Sequence, residues 1–237
     1  MAIANGCNSI GIVGGLGPRT TADFYVDLTD AFRKHGVSPR ITIDNVAFPL
    51  RLEEEIIKHS RNERLLLPYL KASVRRLNLA GVDAIVMPCN TAHFFIDHLR
   101  KVSDAPIISI VEETARVIRK RGLKKVGILS SSKTLNSLMY QKKLLEEHIS
   151  VLIPSREYQL DVSEFILSLL SGKMDEKAKK RICCLVEEMK ARGAEAVVFA
   201  CTDLRLGLQK NDIPLPVVDS YEALLNSAIR ALKKKHF

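Results

Sequence analysis

The chain contains two similar segments in succession, and this duplication restricts its fold more than any other feature. The stretch AGVDAIVMPCNT at 80–91 matches RGAEAVVFACTD at 192–203, and each has a cysteine at the same point. SIGIVGG at 9–15 likewise matches KVGILSS at 125–131, and APIIS further along matches LPVVD. The members of each pair lie between 110 and 116 positions apart, so the sequence predicts two halves that share one fold.

Short apolar runs alternate with longer segments of helical period along the chain. Runs of this length between helices are typical of parallel sheets covered by helices on both faces. We therefore predict an α/β fold of two pseudo-symmetric Rossmann-like domains, each a mainly parallel sheet flanked by helices, with the active site in the cleft between them. The first domain is predicted to comprise residues 1–105 plus 213–237, and the second residues 106–212.

The same alternation predicts the positions of the individual elements. Strands are expected at SIGIVGG, ITIDNVAF, DAIVMP, PIISI, KKVGILSS, EAVVFA and PLPVVD. Helices are expected at the C-terminal end and over residues 20–32, 52–79, 91–102, 135–148 and 177–192.

Cys89 and Cys201 each follow directly after a predicted strand, at the end of a parallel sheet where ligands bind. If the halves are related by a pseudo-twofold axis, the two thiols face each other across one cleft. A single cysteine at a strand end is more often a packing residue than a catalyst. Two at matching positions favour catalysis, because a thiol with an ordinary pKa of about 8.5 can both accept and donate a proton. Such a pair suits inversion of a carbon acid, in which one group removes a proton and another supplies one to the opposite face.

Short polar side chains follow both cysteines and provide groups that bind a carboxylate. Asn90, Thr91 and Thr202 lie at the predicted strand-to-helix junctions, where helix dipoles and free backbone N–H groups are also expected to favour the thiolates. Arg51 follows a strand and a proline and is a candidate carboxylate clamp, although a lone arginine is by default a surface residue. Asp203 comes two residues after the second cysteine, and we expect it to support that thiol rather than only to charge a helix N-terminus.

Three further features leave alternatives open or predict a structural role. GIVGGLGPRT at 11–20 lacks the spacing of a dinucleotide-binding or Walker loop, and either brings backbone close to a ligand or forms a tight turn. His93 either polarises the first thiol or caps and packs. Cys183 and Cys184 fall within a predicted helix and are expected in or near the core, whereas Cys7 belongs to the N-terminal tail.

The composition restricts the partners and the compartment. A net charge of +9 fits either a nucleic-acid surface or a field that attracts small anions. The basic residues are dispersed among acidic ones and aromatic residues are scarce, so we do not expect nucleic-acid binding. No apolar run is long enough to span a membrane, so we expect no membrane partner. Five cysteines without metal-ligand spacing indicate free thiols in the cytoplasm.

GIVGGLGPRTT, MPCNTAH and ACTD together resemble motifs of the cofactor-independent aspartate/glutamate racemase superfamily, aspartate racemases most closely, and the likeness covers the whole chain. The resemblance implies an amino-acid racemase, an isomerase that forms D-amino acids without pyridoxal, another cofactor or a metal. It implies that Cys89 and Cys201 are the acid/base catalysts and that Arg51 holds a substrate carboxylate. It also implies substrate contacts from Leu16, Asn90, Thr91, Ser131 and Thr202.

Two departures from the family pattern bear on the substrate. Ser171 stands at the position of a family lysine, with Lys173 two residues further on, and Asp203 replaces a glutamate. We expect a cytoplasmic racemase of aspartate, glutamate or a similar amino acid that acts through two thiols, with a homodimer left open. The alternatives are a racemase of another amino acid or of a hydantoin, and a non-catalytic carboxylate-binding protein of the same fold.

Overall fold

The computed structural model describes residues 9–59, 61–173 and 175–236, so Cys7 lies outside the described residues. The strands are β1 Ser9–Gly14, β2 Arg40–Asn45, β3 Ala84–Val86, β4 Lys125–Leu129, β5 Ser150–Leu152, β6 Ala196–Phe199 and β7 Val217–Asp219. The α-helices are α1 Pro18–Arg33, α2 Leu50–His59, α3 Leu67–Leu79, α4 Ile96–Arg100, α5 Ile110–Lys120, α6 Ser132–Asn136, α7 Met139–Glu146, α8 Arg156–Leu170, α9 Glu176–Ala191 and α10 Ser220–His236. Short 3₁₀ helices lie at Glu63–Leu66, Thr91–Phe95, Leu204–Leu206 and Lys210–Asp212. In the described part of the chain, no helix is both long and apolar enough to cross a membrane.

Two parallel sheets with the same strand order form the framework of the fold. The first has the order β2-β1-β3, and a single parallel bridge joins Ile85 of β3 to Ile107 on its far side. The second has the order β5-β4-β6-β7. In each half the first strand therefore lies between the second and the third, and all of these pairs are parallel. The predicted α/β fold with two similar parallel sheets is confirmed.

A shared hydrophobic core joins the two halves. It contains one face of each sheet, as in Ile12 of β1 and Val198 of β6, together with residues of α1, α5, α7 and α10. Two further cores cover the outer faces, where α3 packs on the first sheet and α8 and α9 pack on the second. Helices on both faces explain why β1, β3 and β6 are buried along their whole length.

The last strand pairs within the second sheet, whereas the last helix contacts elements of both halves. β7 pairs with β6 in the second sheet, whereas α10 packs against α1 and α5 and contacts β1 and β3 of the first sheet. The division of the chain into residues 1–105 plus 213–237 and residues 106–212 stays a prediction.

Two predicted helices are interrupted by residues with a left-handed backbone. The helix expected over 52–79 is divided into α2, a 3₁₀ turn and α3, since Asn62 has a φ of 56° and Pro68 lies in the first turn of a new helix. The helix expected over 135–148 is divided into α6 and α7 by Leu138, with a φ of 59°. The sequence does not predict β5, α5 or α8, and PIISI forms a single bridge instead of a strand.

The expectation that both cysteines of α9 lie in or near the core is wrong for Cys184, which is exposed, while Cys183 is half-buried. The buried positions of this helix include Ile182, Leu185 and Val186. Because successive residues turn by about 100° around a helix axis, the two intervening positions fall away from the stripe that faces the sheet.

Candidate active site

A cavity lies at the carboxyl ends of β3 and β6, where the two halves face each other. The space between its lining atoms, together with open solvent at its mouth, is about 520 Å³. Eight of the nine site residues that the sequence predicts line it: Leu16, Cys89, Asn90, Thr91, Ser131, Cys201, Thr202 and Asp203. The structure therefore brings both strand-end cysteines into one compartment.

Arg51, the ninth predicted residue, is not part of this lining. It lies in the first turn of α2 and is exposed, whereas Leu52 and Ile56 of the same helix are buried. Residues two apart face different sides of a helix, so the orientation that brings Glu53 to the cavity turns Arg51 away from it. Arg51 is thus exposed outside the cavity lining, and its role as a carboxylate clamp stays a prediction.

The sequence does not predict the other seven lining residues, of which all but one are apolar: Phe48, Glu53, Ile56, Ile57, Leu66, Ile166 and Leu170. They come from α2, its flanking turns and α8, segments that lie outside the duplicated stretches. The amphipathic period of α2 is a signal for Ile56 and Ile57. Such a period predicts a buried face but not what that face contacts.

Ser171, at the position of the family lysine, and Lys173 are both exposed at the C-terminal end of α8. The Ser171 hydroxyl donates to the carbonyl oxygen of Ser168 at 2.9 Å. Leu170 and Ile166 are the residues of this helix that reach the cavity. The wall on this side is therefore apolar.

Each sheet positions its cysteine through the loop that follows the strand. Pro88 has no backbone N–H, so the ladder of β3 cannot continue past it, and Cys89 follows at once. Each loop then turns into a short 3₁₀ helix. As a result, the backbone N–H groups of Thr91 and Ala92 favour a charged Cys89 sulfur, and those of Asp203 and Leu204 favour a charged Cys201 sulfur, so that each set lowers the pKa of its thiol.

His93 links the Cys89 loop to the start of α5. Its Nε2 accepts a hydrogen bond from the Ile110 backbone N–H at 3.1 Å, so the neutral ring carries its proton on Nδ1. Nδ1 then donates that proton to the carbonyl oxygen of Cys89 at 2.8 Å. Burial lowers the pKa of His93 to about 4. Of the two roles that the sequence leaves open, the structure shows the packing role.

Asp203 is buried at the boundary between the halves. The Thr20 hydroxyl donates to its Oδ1 at 2.6 Å, and the Cys201 thiol donates to its Oδ2 at a sulfur-to-oxygen distance of 3.9 Å. Burial raises the pKa of Asp203, although the Thr20 hydroxyl opposes this shift. Gly17 precedes α1 with a φ of 103°, and a Cβ there would lie 3.0 Å from Oδ1. Only glycine lets α1 begin so close to this carboxylate.

The hydroxyl groups around the cavity bond across the two halves. Thr91 Oγ1 of the first half lies 2.9 Å from Ser131 Oγ and 3.2 Å from Thr134 Oγ1 of the second. Thr202 Oγ1 of the second half donates to the Pro88 carbonyl oxygen of the first at 3.1 Å. These bonds fix the relative positions of the two cysteine loops.

Asn90 is held at both ends of its amide group. Its Nδ2 donates to Ser220 Oγ at 2.9 Å, and its Oδ1 accepts a hydrogen bond from the Tyr140 hydroxyl. The side chain is buried, and Ser220 begins α10 while Tyr140 belongs to α7. Asn90 therefore lines the cavity and also connects its loop to two helices of the central core.

Burial raises the pKa of both cavity thiols. The pKa of Cys89 rises to about 12, since burial and the charges of Asp203 and Glu53 outweigh the backbone N–H groups. Burial, and after it the charge of Asp203, raises the pKa of Cys201 well above its ordinary value. The thiolate stabilisation expected from the helix N-termini is therefore outweighed by burial at both cysteines.

The fold and the cavity define a class of protein: two duplicated parallel α/β halves with one cavity and a thiol from each half in its wall. Across residues 9–59, 61–173 and 175–236, no three His, Cys, Asp or Glu side chains are grouped so that they could hold a metal ion.

The chain belongs to the Asp/Glu/Hydantoin racemase family, whose sequence profile matches residues 13–228. The resemblance seen in the glycine-rich and cysteine motifs is thereby confirmed. The prediction of an isomerase of the amino-acid racemase type is confirmed with it.

Individual relatives match along nearly the whole chain. The broad specificity amino-acid racemase RacX of Bacillus subtilis is 28% identical over 226 residues, which cover 93% of this chain and 96% of that protein. The structure of the Picrophilus torridus aspartate racemase is 25% identical with a TM-score of 0.79, covering 95% of this chain and 94% of that one. An aspartate racemase homologue from Pyrococcus horikoshii OT3 is 26% identical with a TM-score of 0.76, covering 95% and 99% respectively.

Proposed function

We propose that this protein inverts the α-carbon of a free amino acid by moving protons between the substrate and two thiols, Cys89 and Cys201. The observation that carries the proposal is their shared compartment: the loops after β3 and β6 bring both sulfurs into the wall of one cavity. A substrate between them presents one face of its α-carbon to each sulfur. One group then removes the α-proton, and the other supplies a proton to the opposite face.

Asp203 gives the two thiols unequal surroundings. Cys201 donates to Oδ2 of Asp203, so this carboxylate can take the thiol proton and leave a thiolate that accepts the α-proton. Cys89 has no such carboxylate contact among the described hydrogen bonds, and it remains the thiol that protonates the carbanion. One α-proton is lost and one is gained, so thiol and thiolate have exchanged places after one inversion. The reverse reaction starts from that exchanged state.

The cysteine loops also supply groups for the substrate's α-carboxylate. Backbone N–H groups at the start of a helix bind anions, and each sulfur already lies next to two of them. The hydroxyls of Thr91, Ser131 and Thr202 line the same space. We propose that these groups and the Asn90 amide hold the carboxylate between the two sulfurs, with Leu16 closing the space.

The substrate side chain is a separate question. Aspartate or glutamate is the substrate that the family resemblance implies, and Arg51, which holds a substrate carboxylate by that resemblance, is exposed outside the cavity lining. The similarity to a racemase described as having broad specificity favours a wider substrate range. We therefore propose inversion of an α-amino acid without naming its side chain. Aspartate, glutamate and a hydantoin belong among the substrates to be tested.

Replacing each cavity cysteine tests the mechanism. We expect Cys89→Ala and Cys201→Ala each to lower racemisation by at least about 10²-fold, the scale of general acid–base catalysis. Chirality change and uptake of deuterium at the α-carbon from deuterated water are the two measurements. Cys184→Ala is the matched control, because it removes an exposed thiol of α9. Both activities persisting in the two cavity variants would rule out the two-thiol mechanism.

A binding measurement distinguishes a racemase from a non-catalytic carboxylate-binding protein. If the protein only binds carboxylates, calorimetry should show binding of amino acids to the unmodified protein, and no deuterium uptake should follow.

The cytoplasmic location and the homodimer stay predictions. The location is based on the free thiols, since an oxidising compartment would favour their loss to disulfides.

A further inference from the structure

The charge of the cavity is opposite to that of the whole chain. The chain has a net charge of +9, yet the charged side chains that line the cavity are Glu53 and Asp203, both acidic. Of the side chains that the structure describes, no lysine or arginine is among the lining residues. A substrate carboxylate on the side chain would meet two negative groups here and no cation.

Two cations near the cavity are held by other partners. Lys133 is buried, with its Nζ 3.0 Å from Glu63 Oε1 and 3.6 Å from the centre of the Phe94 ring. Arg205 lies over the Tyr221 ring at 3.9 Å and also bonds to an aspartate of α1. Recruiting either cation to an acidic substrate would break these contacts.

Glu53 lies on α2 at the apolar side of the cavity. The wall around it consists of aliphatic and aromatic side chains from α2, its flanking turns and α8: Phe48, Ile56, Ile57, Leu66, Ile166 and Leu170. Asp203 is buried and lines the same cavity, and its negative charge raises the pKa of Glu53. Burial, and after it the charge of Asp203, raises the pKa of Glu53 to about 6, and among the described side chains that line the cavity no cation compensates its charge.

We propose that the side chain of the preferred substrate ends in a cation, as in lysine, ornithine or arginine, and that Glu53 is its specificity-determining partner. This inference rests on the proposed racemase function. The methylene stem packs against Ile56, Ile57 and Leu66, and the cationic end pairs with Glu53. The α-carboxylate remains at the cysteine loops, at the polar end of the cavity.

A cationic substrate also changes the conditions for thiol ionisation. The negative charges of Glu53 and Asp203 both raise the pKa of Cys89. A cation bound at Glu53 neutralises part of that field and so lowers the pKa of the thiol. The substrate class that fits the acidic cavity is thus also the class that favours proton transfer within it.

Substrate comparison in the unmodified protein is the first experiment. L-Lysine and L-norleucine share an aliphatic stem and differ by the terminal ammonium, so their ratio of kcat/KM isolates the charge. We expect this ratio to be about 10 to 100, the scale of a charge-assisted hydrogen bond, and L-lysine to exceed L-aspartate and L-glutamate by at least as much. Faster racemisation of L-aspartate or L-glutamate than of L-lysine would overturn the inference and leave the racemase function intact.

Variants of α2 assign the preference to one side chain. Glu53→Gln should collapse the lysine-to-norleucine ratio to near one, mainly through a higher KM for L-lysine, and Glu53→Lys should move the preference toward L-glutamate. Glu54→Gln is the matched control, since it removes the same charge from the exposed side of the helix and should keep the ratio. An unchanged ratio in Glu53→Gln, with all substrates slowed equally, would assign Glu53 to the α-ammonium and overturn the inference.

Binding keeps the inference testable if catalysis fails. Absence of turnover for every amino acid in the panel would defeat the proposed function. Calorimetric titration with L-lysine and L-norleucine then decides the recognition question. Tighter L-lysine binding that is lost in Glu53→Gln supports a site for a cationic side chain, and equal binding of the two amino acids contradicts it.

Discussion

A buried side chain at the active-site cavity need not take part in proton transfer, as His93 illustrates. Both of its ring nitrogens are engaged with backbone groups, those of Cys89 and Ile110. Protonating the ring would turn Nε2 from an acceptor into a donor that faces another N–H group. These bonds suit the neutral ring, and burial, which penalises the charged ring, lowers its pKa.

Acid should weaken the fold through this imidazole. The buried ring has a pKa of about 4 and the unfolded chain one of 6.5, so the unfolded chain binds more protons between these values. The free energy of unfolding therefore falls as the pH falls through this window, by up to about 3 kcal/mol from this one group. In His93→Asn, which cannot titrate, this contribution is absent. Urea unfolding of both proteins from pH 7 to pH 4 should show their stability difference shrink.

A second substitution separates titration from hydrogen bonding. His93→Gln places its amide near the position of Nε2 instead of Nδ1, so it differs from His93→Asn in the bonds that it can form. Both variants should nevertheless lose the same pH-dependent contribution. A stability difference from the unmodified protein that stays constant over this range would contradict the assignment.

Among the elements, the two central strands carry a glycine where the outer helix crosses them. Gly11 of β1 and Gly127 of β4 are matching positions of the duplication. A Cβ on Gly11 would lie 3.1 Å from Leu77 of α3, and one on Gly127 would lie 2.5 Å from Met189 Sδ of α9. The missing side chains set how closely the outer helices pack on the sheets.

Adding a methyl group at the second of these glycines should destabilise the protein. We expect Gly127→Ala to lower the free energy of unfolding by about 1 to 3 kcal/mol, the usual cost of overpacking a core, because Met189 must move. In a Met189→Ala background the new methyl group has room, and the same substitution should cost much less. Urea unfolding of the four proteins gives the coupling energy, and strictly additive costs would show that the two residues do not compete for space.

At the scale of the whole molecule, each cysteine loop bonds to the helix that follows the first strand of the opposite half, α1 after β1 and α6 after β4. Asp203, two residues after Cys201, accepts from Thr20 of α1. Thr91, two residues after Cys89, bonds to Thr134 of α6. These crossed bonds follow the pseudo-twofold symmetry of the chain, and they orient both loops toward the shared cavity.

Removing one of these crossed bonds should affect stability and activity together. Thr20→Val keeps the shape of the side chain but leaves a buried carboxylate without its hydroxyl donor, so we expect a loss of about 1.5 to 3 kcal/mol. The pKa of Asp203 should also rise, since that hydroxyl holds it down. Urea unfolding and the pH profile of racemisation measure the two effects.

Thr29→Val provides the control on the same helix. The Thr29 hydroxyl is buried and has no hydrogen-bond partner within the described part of the chain. Its removal should therefore be neutral or slightly stabilising. Equal losses in Thr20→Val and Thr29→Val would indicate a general cost of valine in α1 instead of the bond to Asp203.

The sequence by itself determined the duplicated parallel architecture and the position of both cysteines. These features are local: the apolar period identifies each strand, and the residue that follows a parallel strand lies at the ligand-binding edge whatever the rest of the chain does. Because the two halves are duplicated, a position at the carboxyl end of a parallel strand is predicted for Cys201 as well as for Cys89. Eight of the nine predicted site residues consequently line one cavity.

Only the tertiary structure decided which charges and apolar groups surround those cysteines. The choice between Arg51 and Glu53 depends on how α2 is rotated against the second half, which no local period specifies. The protonation of the thiols depends on how completely distant segments exclude water from them. The rotation of α2 and the exclusion of water from the thiols are both set by packing between elements far apart in the chain. Burial at that packed boundary therefore raises the pKa of the thiols more than the local helix N-termini lower it.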